Sequence, residues 1–406
     1  MTESLRLNPF LQLETVGDGS EDLILVGPKR GAGTQSVRLE RTSRPQLFEV
    51  LTELAATSLD FLEPEKDLLR DDIDFLRDHG FLVDPSEVPK MPSFACSLDE
   101  IEVGDLVSAS RELRVSKDFE FDPFDLTTFT SKIQESHLSP FRPIAWTRSL
   151  VFGVKVGYWL NPADAEIVSG FLPGEAVSGL DPVLCERLLE AEILLDAGGE
   201  RTAHRQQLLD RAGSSFRTKG YGVIEGLLPP HQMKAYRDFY RDYVSEGFMP
   251  FGDPQVRSRY RQHNEPLAAF LHKSLQPLMS LMAGVEVIPS YVYAASYKDG
   301  AVLDPHVDRP QCEYSISFQV DYEPETTDQI SPWALCVEPL GETGISDIGW
   351  DTINADAARK FNLASGDALF YKGCELVHYR SALPDGARST SLFFHFVPAD
   401  FSGSLD

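Results

Sequence analysis

Residues 296–310 read Ser-Tyr-Lys-Asp-Gly-Ala-Val-Leu-Asp-Pro-His-Val-Asp-Arg-Pro. His306 and Asp308 stand two apart, and side chains two apart on an extended segment point the same way. An imidazole and a carboxylate so placed hold one metal ion with little strain. A ferrous ion used for oxygen chemistry needs two neutral imidazoles and one carboxylate on one face, with the opposite face open. One more histidine is therefore required.

It is found in Tyr371-Lys372-Gly373-Cys374-Glu375-Leu376-Val377-His378-Tyr379-Arg380, where His378 follows His306 by seventy-two residues. A gap of that size holds the strands of a small barrel and returns the chain to the same mouth. Arg388 comes ten residues after His378, in Ala387-Arg388-Ser389-Thr390-Ser391-Leu392-Phe393-Phe394-His395-Phe396-Val397. A dicarboxylate bound to iron through its keto-acid end needs a cation for its other end, and a guanidinium meets a carboxylate with two parallel hydrogen bonds. Thr390 shares the strand face of Arg388 and adds a hydroxyl. His395 alternates away from that face and reads as a packed histidine.

Tyr-x-x-Gly (Tyr297 to Gly300), His-x-Asp, a distal His and an Arg ten residues later resemble the prolyl-hydroxylase-like branch of the 2-oxoglutarate/iron(II) oxygenases, over about residues 206–400. The resemblance implies a double-stranded β-helix (jelly-roll) fold. It also implies His306, Asp308 and His378 as iron ligands and Arg388 as anchor of the cosubstrate, 2-oxoglutarate, with Tyr297 hydrogen-bonding to it. Iron(II), 2-oxoglutarate and O₂ follow as cofactor and cosubstrates. Many prolyl hydroxylases carry lysine at the anchor, so the arginine here puts proline as substrate in doubt.

Around this passage the chain alternates short aromatic and β-branched runs with Gly, Pro and Asp turns, from Gly284 onward. On Glu313–Tyr322, the residues Ser315, Ser317, Gln319 and Asp321 fall on one face and Tyr314, Ile316, Phe318 and Val320 on the other. The polar face, Gln319 included, either lines the pocket or meets solvent. Two amphipathic helices precede these strands, near His231–Glu246 and Glu265–Ala283, and residues 216–224 read as a strand entering the domain. Helices followed by many short strands suit a helix-supported β-sandwich. Arg257-Ser258-Arg259-Tyr260-Arg261-Gln262-His263 is a dense basic cluster, read either as a carboxylate-recognising surface or as an exposed loop making ordinary surface pairs.

The first half is organised differently. Leu23–Val26 and Val37–Leu39 read as strands, followed by helices carrying Leu47, Val50, Leu51, Leu54 and then Leu69, Ile73, Leu76. The second helix stops at Gly80, before a short strand Phe81–Val83. Residues 91–200 partly repeat this plan, with strand-like Val151–Leu160, a helix opening after Pro162, and Leu184, Leu188 and Ala191 before Ile193–Leu195. We therefore expect an α+β chain. Residues 1–90 and 91–200 would be small α/β modules, similar in layout to a winged helix and to modules that hold precursor peptides, the second a degenerate repeat. Residues 201–406 would be the oxygenase domain.

With 37 Lys and Arg against 63 Asp and Glu, the formal charge is −26. That balance argues against a nucleic-acid or anionic-membrane partner. The start, Met1–Arg6, lacks the basic and apolar run of a secretory signal. No stretch reaches membrane-spanning length, and the cysteines (Cys96, Cys185, Cys312, Cys336, Cys374) form no paired motif. A cytoplasmic protein with reduced thiols is expected. The leading expectation is hydroxylation of a C–H bond in a peptide or protein side chain. A free amino acid or small metabolite is the alternative substrate, and a non-enzymatic ligand-binding sandwich the alternative class. A homodimer is one of the oligomeric states left open.

Overall fold

A computed structural model describes residues 5–16, 22–57, 68–104, 113–123, 143–196, 199–327, 329–340, 345–354, 356 and 358–405. Met1–Ser4, part of the expected non-secretory start, lie outside the described residues. The chain divides into two compact units, Met1–Pro92 with Tyr240–Asp253, and Ser93–Phe239 with Pro254–Asp406.

In the first unit, β1 (Arg6–Leu7) is followed by a meander of β2 (Gln12–Thr15), β3 (Asp22–Lys29) and β4 (Gly33–Glu40). Helices α1 (Pro45–Thr57) and α2 (Arg70–Asp78) come next, then β5 (Leu82–Val83), which pairs antiparallel with β1. The expected apolar helix positions are buried in one cluster: Leu47, Leu51, Leu54 and Leu76, with Leu23, Leu25 and Phe81. Leu69, expected on that face, is exposed at the helix N-cap.

The second unit opens with the same order. β6 (Leu113–Val115) precedes a meander of β7 (Glu120–Asp122), β8 (Ile144–Arg148) and β9 (Lys155–Trp159). Helix α3 (Pro162–Val168), a short β10 (Ala176–Val177), helix α4 (Pro182–Glu190) and β11 (Leu194–Asp196) follow, and β11 pairs antiparallel with β6. The helix-to-strand corners are built alike. Phe81 N donates to Leu76 O at 2.8 Å and Ile193 N to Leu188 O at 2.9 Å, the long-range bond of a left-handed helix cap. The residue before each has positive φ, +73° at Gly80 and +56° at Glu192. Val151–Gly153, expected in a strand, forms the turn between β8 and β9.

Helix α5 (Glu200–Lys219) replaces the strand expected from residue 216; only β12 (Tyr221–Ile224) is extended there. Its apolar residues are few, but Leu208, Leu209, Ala212 and Phe216 are all buried on one stripe. Helices α6 (Pro230–Ser245) and α7 (Pro266–Ala283) match the expected pair. The remaining strands are β13 (Arg259–His263), β14 (Val287–Lys298), β15 (Leu303–His306), β16 (Tyr314–Glu323), β17 (Leu335–Pro339), β18 (Arg359–Phe361), β19 (Ala368–Lys372), β20 (Leu376–Arg380) and β21 (Arg388–Pro398).

They form a six-stranded antiparallel sheet ordered β12-β19-β16-β21-β14-β13 and a four-stranded one ordered β15-β20-β17-β18. The two share their apolar core: Leu335, Val337 and Leu376 of the smaller sheet cluster with Leu369 and Tyr371 of the larger. On β21, Phe394 and Phe396 meet the His272 ring of α7 at 5.7 and 4.6 Å. The even-numbered face of β21 is therefore the helix side, and the odd-numbered face looks toward the second sheet.

Candidate metal centre

β15 and β20 are antiparallel neighbours, and His306 stands directly opposite His378 with ring centroids 4.3 Å apart. Asp308 lies just past the end of β15, where its N–H donates to the Gly373 carbonyl at 2.9 Å. Its Oδ1 is 3.4 Å from His378 Nε2 and 3.9 Å from His306 Nε2. One ligand atom from each of the three lies within 4.8 Å of the others. The triad is thus assembled by a strand pair and a turn, not by alternation along one strand as its two-residue spacing suggested.

Both histidines have their tautomer fixed by backbone carbonyls. Nδ1 of His306 is 2.7 Å from Asp304 O, and Nδ1 of His378 is 3.0 Å from Leu376 O. A carbonyl only accepts, so Nδ1 carries the hydrogen and Nε2 presents its lone pair beside Asp308. Burial, with His378 adding to it, pulls His306 down to about 4. Burial also works against ionisation of Asp308, but His378 outweighs it and holds the carboxyl well below the usual range. His378 is raised: burial opposes its charged form, and Asp308 more than compensates. Two neutral-capable imidazoles and one ionised carboxylate, all pointing one way, fit an iron(II) ion that keeps open positions.

Gly373 makes this approach feasible. A Cβ there would sit 2.4 Å from Asp308 Oδ2 and 2.3 Å from Cys312 O. A second group of donor atoms, Asp308, Cys312 and His395, lies within the same 4.8 Å limit. Burial, with Asp308 adding to it, pushes the Cys312 thiol up to about 12, which makes it a poor ligand.

The structure does not bring Arg388 to this centre. Arg388 is exposed, opposite Lys298 and Glu323 on the helix side of β21. Thr390 shares that side, and its hydroxyl donates to Ser296 Oγ at 3.0 Å. The side chains that enter between the sheets are those of odd number, including His395. A shift of one residue in strand phase exchanges the faces, and the sequence reading took the wrong phase.

A cation that is buried on this strand pair is Arg380, two residues beyond His378 on the same face of β20. It is 1% exposed, donates from Nη1 to Trp333 O at 2.6 Å and lies 4.5 Å from the Trp333 ring centroid. Its Nε has no hydrogen-bond partner, and no carboxylate of the described residues lies within ion-pair distance. A buried guanidinium in that state is costly unless a ligand anion meets it. Tyr297 is buried beside it, its ring 5.0 Å from that of Trp333. Gln319 is also interior, with Nε2 donating to Asp321 O at 2.6 Å and Ser389 Oγ at 3.2 Å.

Two further groups lie near the centre, one from the basic cluster and one not singled out in the sequence. Arg259 is no surface-loop residue: it opens strand β13, is 4% exposed and donates to Tyr297 Oη at 3.2 Å and Tyr293 Oη at 3.3 Å. Gln255, four residues before it, places Nε2 3.3 Å from His306 Nε2. The alternation of arginines at 257, 259 and 261 was the available signal, because it fits a strand.

No protein-family model matches the chain, and no curated protein does. Among solved structures, the epimerase SnoN in complex with Fe3+, alpha ketoglutarate and nogalamycin RO is 15% identical, covering 47% of this chain and 84% of its own, with a TM-score of 0.38. A Pseudomonas putida prolyl-4-hydroxylase is 16% identical over 47% of this chain and 98% of its own (TM-score 0.34). A prolyl hydroxylase from Trichoplax adhaerens, in complex with a hypoxia inducible factor oxygen degradation domain peptide fragment, is 11% identical over 49% and 94% (TM-score 0.36). The chain is thus similar, over about half its length, to solved 2-oxoglutarate/iron(II) oxygenases.

Proposed function

We propose that this chain is an iron(II)- and 2-oxoglutarate-dependent dioxygenase on a double-stranded β-helix, hydroxylating a C–H bond. The observation that carries the reading is the convergence of His306, Asp308 and His378 with the buried Arg380 on the triad's own strand face. His306 Nε2, His378 Nε2 and one oxygen of Asp308 would hold the ion. Arg380, not Arg388, would receive the distal carboxylate of 2-oxoglutarate, its Nε available for that bond, with Tyr297 as neighbour. The bound iron and cosubstrate supply the oxidation: substrate C–H, O₂ and 2-oxoglutarate give C–OH, succinate and CO₂. The protein's part is to position the groups and exclude water.

We take the substrate to be a peptide or protein side chain. The support is the pair of α/β modules with one element order, which we read as winged-helix-like holders of an extended segment. Succinate release would be measured with full-length protein, iron(II) and 2-oxoglutarate against pools of peptides and of free amino acids. Stimulation by peptides alone supports the reading, and stimulation by free amino acids alone overturns the peptide assignment. Absence of any 2-oxoglutarate turnover overturns the oxygenase.

A further inference from the structure

The triad fixes where Asp308 Oδ1 points, and a second set of contacts fixes Oδ2. Ser315, on β16 and fully buried, places Oγ 3.1 Å from Asp308 Oδ2. The same Oγ is 2.9 Å from His395 Nδ1 on β21. It is also 3.2 Å from Cys312 O, but a serine has one proton to give. The ionised carboxylate is the stronger acceptor, so the proton goes to Asp308 and His395 Nδ1–H donates to Ser315. The backbone carbonyl of His395 is held in turn, 2.8 Å from His272 Nε2 on α7. Asp308, Ser315, His395 and His272 thus form one buried line from the metal-facing carboxylate to a supporting helix.

We propose that Ser315, oriented by His395, withholds Asp308 Oδ2 from the metal and so enforces binding through Oδ1 alone. This rests on the oxygenase reading above. The consequence is one of counting. Three single-atom protein ligands leave three positions of an octahedron, two for a keto acid and one for O₂. A carboxylate free to turn both oxygens to the ion fills four, and nothing remains for O₂ once the keto acid is bound. Ser315 and His395 are positioning residues in this scheme. They do not touch the reacting atoms.

The test separates this role from mere loosening of Asp308, which would weaken the metal. In full-length Ser315→Ala, Mn(II) affinity, read from the signal of free Mn(II), should stay within about threefold of wild type. O₂ consumption with iron(II) and 2-oxoglutarate should fall on the order of tenfold or more, within the range seen for residues that orient metal ligands. Ser315→Cys keeps the volume with a weaker donor and should fall between the two. A parallel loss of Mn(II) affinity and O₂ consumption overturns the proposal, and so does a Ser315→Ala protein that matches wild type in both. If wild type itself binds no metal with 2-oxoglutarate, the oxygenase reading falls and takes this inference with it. A competent wild type with an indifferent Ser315→Ala removes this inference only.

Discussion

The Arg380 guanidinium lies over the Trp333 indole, 4.5 Å from its centroid, and is tied by Nη1 to that residue's carbonyl at 2.6 Å. Stacking on an aromatic face and one backbone bond hold the fork still without neutralising it. Its Nε is buried without a hydrogen-bond partner.

Arg380→Ala should therefore raise the 2-oxoglutarate requirement by roughly 30-fold or more, since a charge-assisted buried pair is worth about 2–5 kcal/mol. Arg380→Lys keeps the charge, loses the fork and should fall between. Arg388→Ala, at an exposed position, should change the requirement by less than about twofold. Titration of the cosubstrate at fixed iron(II) checks all three, and a large effect at Arg388 would return the anchor to that residue.

His306→Ala, Asp308→Ala and His378→Ala should each remove the visible band expected when 2-oxoglutarate is added to the iron(II) protein without oxygen. Gly373→Ala is the sharper experiment, because the added Cβ would meet Asp308 Oδ2 at 2.4 Å and Cys312 O at 2.3 Å. Displacing that carboxylate should weaken iron binding on the order of 10-fold or more. Equilibrium metal binding with thermal unfolding of the same samples reads both quantities, and an unaltered affinity would mean the turn gives way instead.

Acid should destabilise the metal-free protein through His272. Burial is the main cause that pulls it from 6.5 to about 3. Below pH 6.5 the unfolded chain takes up a proton that the folded chain refuses until about pH 3. Stability contributed by the neutral ring is thus complete above 6.5 and declines as pH falls through that window, by about 1.4 kcal/mol per pH unit at most. Urea unfolding from pH 7 to 4 should show this loss, and His272→Gln should reduce it, the rest coming from His231, His306 and His395, which burial lowers to about 4.

A chain beginning at Arg201 should be poorly soluble. Within the second unit, the Trp146 ring lies 5.6 Å from Phe270 on α7, Tyr158 bonds to Gln232 on α6, and Arg205 pairs with Glu192. Cutting there exposes more of Phe270 and removes the partners of Gln232 and Arg205. Sedimentation of the truncated chain against full length measures the effect. A soluble, monomeric product that still consumes 2-oxoglutarate would show that residues 1–200 are dispensable for the stability of the metal centre.

The sequence alone pointed to the three donor residues that the structure brings together and to most of the helices. Imidazole and carboxylate chemistry restricts what His306, Asp308 and His378 can do together, and this requires only that the chain return to one mouth. Helical spacing likewise located α1, α2, α6 and α7, and the matched endings at Phe81 and Ile193 were visible as pattern. Which arginine faces inward was not. Strand side chains alternate, so β21 reads equally well with Arg388 and Thr390 inside or with Ser389 and His395 inside. Only the packing of Phe394 and Phe396 on α7 decided it. That choice removed Arg388 from the site and brought His395 to Ser315. The buried state of Arg259 and Arg380 was decided the same way, by the sheet edge and strand pair that enclose them, because charge in a sequence does not reveal whether water reaches it.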